Sequence, residues 1–570
     1  MSIINDIKKE GENIMKKRRI ISLLLSCTLV AALLSGCGNN KESSSSTAGG
    51  ALNEKSPITL TFFDVDATED MPFDDDVAKK ITELTGVTLK IIHPVAGDTQ
   101  AIPLMIASGD YPDFIYAKGD TGKLVDAGAI IKLDDYIEKK GDNIKALYGE
   151  QLKRLKYSVE DPSIYTAGTY GVSSEVYSPD GTMQLQHAVL KELGYPQIKT
   201  LKDYENAIKQ YIAKYPEING KKTIGMSLMA SDWRWLTTCG NISGFVSGIP
   251  NDGQFKIDDN TQKATYKFQL PEVKEYFKWL NHMNAEGFLD PESFTQKEDV
   301  YRAKISQGNV LGLTDAKYDY DSAQKTLVSS GMQERTYAPL SVTLGEQYKD
   351  QTMKDYGYSG GWGVAISSTS KNQDRAFEFL NWLASDEAQV LLNWGIEGKH
   401  YKVEGGKREL LPEIQQQKNT DKDFVKKTGV GKYTYPFPQR GDGALDPSGN
   451  SYTTNSLENY IVNYNNAEKE TLAAYNKKSF VDLFPSKEEL GKSKHGQAWQ
   501  YNIPSDSDIA IIQKKADDYI QKAVTQAILG NEADFDSSWN KIQEDLKAIG
   551  IEKLNDEMSK LTEEKIKLWN

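Results

Sequence analysis

Trp233 and Trp235 flank Arg234, and Asp232 stands just before them. In an extended segment, residues i and i+2 share one face. The two indoles can then lie against a sugar ring while polar neighbours such as Arg234 take its hydroxyls. Packed inward, they would be an ordinary aromatic pair of a core. Trp362 sits among Gly360, Gly361 and Gly363, where backbone and ligand can approach closely, and it leads the set. Asp64 and Asp66 follow the run Ile58-Thr59-Leu60-Thr61-Phe62-Phe63. Their carboxylates can accept bonds from sugar hydroxyls, or can serve as negative charges ahead of the next helix. Tyr116, Gln184, Gln186, Asp315 and Tyr318 complete the candidates. Trp279, Trp382, Trp394 and Trp539 fall on helical apolar faces and read as core.

This is chemistry of capture, and no constellation for covalent work stands beside it. The chain has neither a G-x-S-x-G elbow nor an H-E-x-x-H pair. Its five histidines are scattered without metal-ligand spacing. Gly491-Lys492-Ser493 ends like a phosphate-binding loop, but Ser486 occupies the place of the required first glycine. Carboxylates are numerous enough that a glycosidase pair is neither singled out nor removed. Beyond position 37 the only cysteine is Cys239, so the body can form neither an internal disulfide nor a cysteine metal site. Cys239 reads as a small buried apolar residue. No metal or cofactor is expected. Past Gly36 the chain carries 62 Lys and Arg against 78 Asp and Glu. That balance disfavours nucleic acid, whose binding rests on cations neutralising phosphates.

The elements that position these groups begin after a leader. Lys16, Lys17, Arg18 and Arg19 precede a short apolar run, 20–34, that ends in Leu34-Ser35-Gly36-Cys37. The run is short for a spanning helix, which needs roughly 20 apolar residues, and the pattern reads as a secretory signal. The cysteine after Leu-Ser-Gly resembles the lipobox of bacterial lipoproteins. The resemblance implies a diacylated Cys37 at the mature N-terminus, and two acyl chains anchor stably where one does not. Met15 alone opens a conventional signal, so the true start can lie there. Residues 37–57, rich in Ser, Gly and Asn, read as a flexible tether.

From residue 58 strands and helices alternate. Strands are expected at 58–63, 87–92 and 113–116, and helices at 74–84 and 101–107. Such alternation implies an α/β sheet with right-handed crossovers and a ligand beyond the carboxyl ends of its strands. A length of 570 residues implies two domains. The segment from Lys514 is charged and helical. Gly530 is expected to cap one helix, Asp534 or Asp536 the next, and the region to pack on the second domain.

Several short motifs carry a family resemblance. They are Thr85-Gly86-Val87, Ile106-Ala107-Ser108-Gly109-Asp110-Tyr111-Pro112-Asp113, and Ala127-Gly128-Ala129-Ile130 with Leu133-Asp134. Further on come Gly194 with Pro196 and Thr200-Leu201-Lys202-Asp203, then Gly360-Gly361-Trp362-Gly363-Val364-Ala365-Ile366, and Gly395-Ile396-Glu397-Gly398-Lys399-His400-Tyr401. In order and spacing, behind a lipobox, they resemble the family-1-like extracellular solute-binding proteins of bacterial carbohydrate ABC importers, in their LipO-like lipoprotein subgroup.

The resemblance implies a periplasmic-binding-protein-like (type II) α/β fold, with two lobes, a hinge and a ligand cleft between them. Residues 58–168 and about 310–360 are expected in lobe 1, and about 169–309 and 361–570 in lobe 2. The chain is expected to cross near 165–172, 307–314 and 358–364, where glycines cluster. The implied function is that of a lipid-anchored component that delivers carbohydrate to an ABC permease, with the ATPase engaged indirectly. It would be monomeric, non-enzymatic and held on the extracytoplasmic face of the cell membrane. A peptide-binding importer component and a lipid-anchored glycoside hydrolase remain the alternatives. Some relatives carry a calcium loop. Here the matching segment, 215–224, has Thr223 and Ile224 in place of its terminal Asp-Glu, and it offers too few oxygens for calcium's six to eight.

Overall fold

The computed structural model describes residues 55–569, apart from positions 68, 96–99, 180, 361 and 505. The expected signal segment, Cys37 and most of the tether lie outside the described residues. Among those described, eight strands build two four-stranded sheets: β1 (Ile58–Asp64), β2 (Val87–Ile92), β3 (Phe114–Tyr116), β4 (Met183–Gln186), β5 (Ile224–Met226), β6 (Val310–Leu313), β7 (Tyr337–Leu340) and β8 (Val364–Ile366). The first sheet has the order β8-β3-β1-β2 and the second β7-β4-β6-β5.

In the first sheet β1 runs parallel to β2 and β3, with Ile58 opposite Val87 and Asp64 opposite Tyr116. β8 closes the edge antiparallel to β3. The helix between β1 and β2, α1 (Asp76–Thr85), starts at Asp75, whose side chain accepts from the Ala78 N–H at 2.8 Å. It stops at Gly86, which takes φ +75°, a left-handed cap that glycine adopts without a Cβ clash. Val77, Ala78 and Ile81 turn inward at helical spacing and join Leu60, Phe62, Phe114, Val364, Phe377 and Phe437 in one core.

The second sheet has its own core. Met183, Leu185, Met226, Leu311 and Ala338 pack with helices of the middle and the C-terminus. The C-terminal helices α2 (Asp508–Leu529), α3 (Phe535–Ile549) and α4 (Ile551–Trp569) bury Ile520, Trp539, Leu546 and Met558 there, as expected. Trp539 stacks on Phe277 at 5.8 Å and 27°, which adds about 0.5–1.5 kcal/mol beyond area burial. Gly530 does end the first of these helices, but at φ −76°, so it is no left-handed cap. Asp536 is drawn to Lys274 and Lys278 at 2.8 Å each and caps nothing.

The expected lobe boundaries need correction. Residues 310–340 do not return to the first sheet: Gly312 pairs with both Leu185 and Met226, and β7 lies along β4. The glycine there serves close packing and not a hinge, because a Cβ on Gly312 would collide with the Tyr204 hydroxyl. Conversely, residues 364 to about 437 belong with the first core, not the second. The crossings are therefore near 168–182, 341–363 and 438–463. They lie side by side. Ala167 bridges Val364, Gly171 and Val172 pair with Gln439 and Arg440, and the Thr169 N–H donates to the Pro436 carbonyl at 2.8 Å. Gly168, at φ +122°, has no room for a Cβ against the Pro436 carbonyl.

Candidate functional site

Asp64 is the last residue of β1, and its neighbour across the ladder, Tyr116, is the last of β3. Asp64 is 8% exposed. Its carboxylate accepts from the Asp66 N–H at 2.9 Å, but burial outweighs that bond and pushes its pKa up to about 6. The turn swings Asp66 outward. Asp66 meets the Lys118 ammonium at 2.5 Å and accepts from the Tyr435 hydroxyl at 3.0 Å. The Tyr435 and Tyr116 hydroxyls touch, and their rings meet edge to face at 5.5 Å. Burial and this close partner hold the Tyr116 hydroxyl far above its ordinary range.

Lys118 lies two residues beyond β3 in a left-handed conformation, φ +50°. Its ammonium also stands 5.9 Å from the ring centre of Trp233, which belongs to the loop after β5. One side chain thus reaches from the first sheet to the second. Trp233 is 59% exposed, and its other ring contact is the Arg234 guanidinium at 5.0 Å. Tyr318, 61% exposed, stands nearby at the start of the helix Lys317–Ser329, with Thr237 beside its hydroxyl. On the first-sheet side Tyr170, from the first crossing, feels the charge of Asp66 and faces the Gln500 amide. Gln500 lines a small cavity of about 30 Å³ together with Arg154 and the half-buried Trp362.

Asp64, Asp66, Tyr116 and Trp233 therefore converge, Tyr318 stands on the Trp233 side, and Trp362 adjoins through Gln500 and Tyr170. Five other expected residues do not converge there. Trp235 is 3% exposed and stacks on Phe277 at 6.0 Å and 8°. Residues 233–235 open a helical turn instead of extending, so i and i+2 diverge and only Trp233 faces out. Arg234 is spent on three carboxylates, Asp232 at 2.6 Å, Glu298 at 2.5 Å and Asp319 at 2.7 Å, and it anchors the loop that carries Trp233. Gln184 is buried. It donates to the Asp315 carbonyl at 2.8 Å and accepts from the Tyr320 hydroxyl at 2.6 Å. Gln186 is likewise bonded internally, to the Gly308 carbonyl at 3.0 Å. Asp315 is fully buried, and desolvation with the neighbouring Asp319 charge raises its pKa well above the carboxylate range.

Sequence reasoning missed Lys118, Tyr170, Tyr435 and Gln500. The strand-end rule that selects Tyr116 reaches Lys118 as well, two residues on. Tyr435 and Gln500 come from more than 300 residues further along the chain and carry no local pattern.

The family described as bacterial extracellular solute-binding protein matches residues 76–393. Lipoprotein LipO of Bacillus subtilis (strain 168) is 22% identical over 370 residues, 63% of this chain and 70% of that protein. The fructooligosaccharide ABC transporter substrate-binding protein FusA of Streptococcus pneumoniae serotype 4 is 21% identical over 506 residues, 83% of this chain and 84% of its own. The structure of S. pneumoniae FusA in complex with kestose superposes with a TM-score of 0.66 at 17% identity, covering 89% of this chain and 99% of that one. Alginate-binding protein AlgQ2 without calcium ion gives 0.64 at 16%, covering 90% and 99%. These likenesses place the fold as the two-lobed one of periplasmic binding proteins, and the chain belongs to the bacterial extracellular solute-binding proteins.

Proposed function

We propose that the chain is the substrate-binding component of an ABC importer and takes an oligosaccharide between its lobes. The observation that carries this reading is the reach of Lys118 from the carboxylate Asp66 to the exposed face of Trp233. The cluster offers what a sugar needs: an aromatic face for the ring and carboxylate, phenol and amide groups for the hydroxyls. FusA and a second S. pneumoniae relative are named for fructooligosaccharide and carbohydrate ABC transport, which favours carbohydrate over peptide. A ligand entering the cleft separates Lys118 from Trp233, stacks on the indole and bonds Asp66. Closure about the three side-by-side crossings then buries it from both lobes.

The chain does no chemistry on its ligand. The relatives named for carbohydrate ABC transport are substrate-binding components, which favours capture without turnover. Cys37 is the lipid anchor, which places the body on the extracytoplasmic face where it meets a permease. Among the described residues no helix is long and apolar enough to cross a membrane.

The test is a thermal-shift panel of neutral oligosaccharides and short peptides, with product analysis of every hit. A ligand at 100 times its Kd adds about 2.7 kcal/mol. A shift from one oligosaccharide without product is the expected result. A shift from peptides alone would overturn the ligand class, and product formation would make the chain a hydrolase.

A further inference from the structure

A second, larger cavity lies elsewhere. It measures about 690 Å³, and none of Asp64, Asp66, Tyr116, Lys118, Trp233 or Tyr435 lines it. One wall is a face of the helix Lys317–Ser329, through Tyr320, Gln324 and Val328, with Pro339 of β7 beside it. The facing wall is the helix Pro412–Thr420, through Gln415, Gln416 and Asn419. That helix packs on the first core by Ile414, so the cavity too is walled from both lobes. Asn455, Asn459 and Asn463 close it. The volume falls within the range of small-molecule sites, and side-chain amides, which both donate and accept, suit a hydroxyl-rich occupant.

Lys418 marks the point where this cavity meets a neighbouring one of about 480 Å³, for both are lined by Asp321, Lys325, Lys418, Thr454 and Asn455. The three lysines of the larger cavity differ. Lys325 is paired with Asp321 at 2.9 Å, and Lys317 lies over the Tyr460 ring at 5.9 Å. The hydrogen-bond partners of the half-buried Lys418 ammonium are neutral: the Thr454 hydroxyl at 2.6 Å and the Asn455 side-chain oxygen at 3.5 Å. Desolvation, with Lys317 and Lys325 adding to it, pushes Lys418 down to about 8, while Asp442 and Asp321 act in the opposite sense. A cation desolvated in this way gains from an anionic partner in direct contact.

We infer that this flank cavity is a second binding site, which takes a saccharide bearing a carboxylate, the acid group on Lys418 and the hydroxyls on the surrounding Asn and Gln side chains. The site stands independently of the cleft reading, since the two share no residue of the Lys118–Trp233 cluster. An occupant would touch the helices Lys317–Ser329 and Pro412–Thr420 together, and so would bear on how the lobes open.

The experiment is calorimetric titration of the full body with trigalacturonate, and with maltotriose as the neutral trisaccharide. Wild type and Trp233→Ala are expected to bind trigalacturonate alike. Lys418→Met should weaken that binding about tenfold or more, the scale of one charge-assisted contact, and Lys418→Arg should restore most of it. Circular dichroism establishes that each variant is folded, and Lys418→Arg keeps the test open if Lys418→Met is not. Absence of saturable trigalacturonate binding, equal binding in Lys418→Met, or binding abolished by Trp233→Ala would each overturn the inference. Maltotriose binding at the flank with the same affinity would overturn its acidic half.

Discussion

Asp64 and Asp315 hold corresponding positions in the two sheets: one ends β1, and the other lies two residues past β6. Burial raises both carboxylates, yet their surroundings differ. Beyond Asp64 the chain turns outward to Asp66 and, from the next strand, to Lys118, each about 35% exposed. Around Asp315 the second sheet is closed over. Gln184 bonds its backbone, Asp319 crowds it, and Arg234 ties Asp319 to Asp232 and Glu298. The first sheet thus presents polar groups at its strand ends. The second presents chiefly one tryptophan and one tyrosine, on a loop and a helix start that the buried charge cluster fixes.

The largest expected effect breaks that cluster. Arg234→Ala leaves Asp319, 3% exposed in its side chain, without its cation. It should cost about 3–5 kcal/mol of stability, read by denaturant unfolding, and should weaken ligand binding by loosening Trp233. An unchanged midpoint would refute the anchoring role.

Asp64→Asn sharpens the contrast through pH. The folded pKa of Asp64, about 6, lies above its ordinary value. The folded state therefore binds the proton more tightly, and the contribution is present at low pH and lost as pH rises through 4 to 6. The Asn variant keeps the acceptor for the Asp66 N–H and removes the buried charge. It should be more stable than wild type by about 3 kcal/mol at pH 7 and no more stable at about pH 3. Parallel stability curves would contradict the burial argument.

Trp233→Ala should weaken oligosaccharide binding by about 1–3 kcal/mol, the worth of a desolvated stacking aromatic. Its effect on folding should stay within about 0.5 kcal/mol, because the side chain is mostly exposed. Lys118→Met comes last. The pair with Asp66 is exposed and screened, so stability should move by about 0.2–1 kcal/mol, while Trp233 fluorescence in the ligand-free protein should change as the ammonium leaves its ring. Unaltered emission would show that the two lobes do not meet there in solution.

Much of the first lobe was legible because its signals are local. Ile58–Phe63 and Val87–Ile92 are β-branched runs, and Gly86 is a helix stop needed at positive φ. The second lobe misled for a physical reason. Gly308 and Gly312 look like a hinge, but Gly312 is small to admit the Tyr204 hydroxyl inside a buried sheet. The hinge reading of these glycines therefore places 310–340 in the wrong lobe. Trp235 misled because the i, i+2 rule assumes extension, and the segment is turning into a helix. Tyr435 and Gln500 reach the site only through the fold, and no spacing in the chain announces them.

The most direct test of interlobe capture is calorimetry on wild type and Trp233→Ala side by side, with the oligosaccharide that stabilises the protein most in the panel. Saturable one-to-one binding that falls at least about fivefold in the variant is the expected result. Equal affinity in the two proteins, or no saturable binding by any oligosaccharide, would contradict the assignment of the cleft.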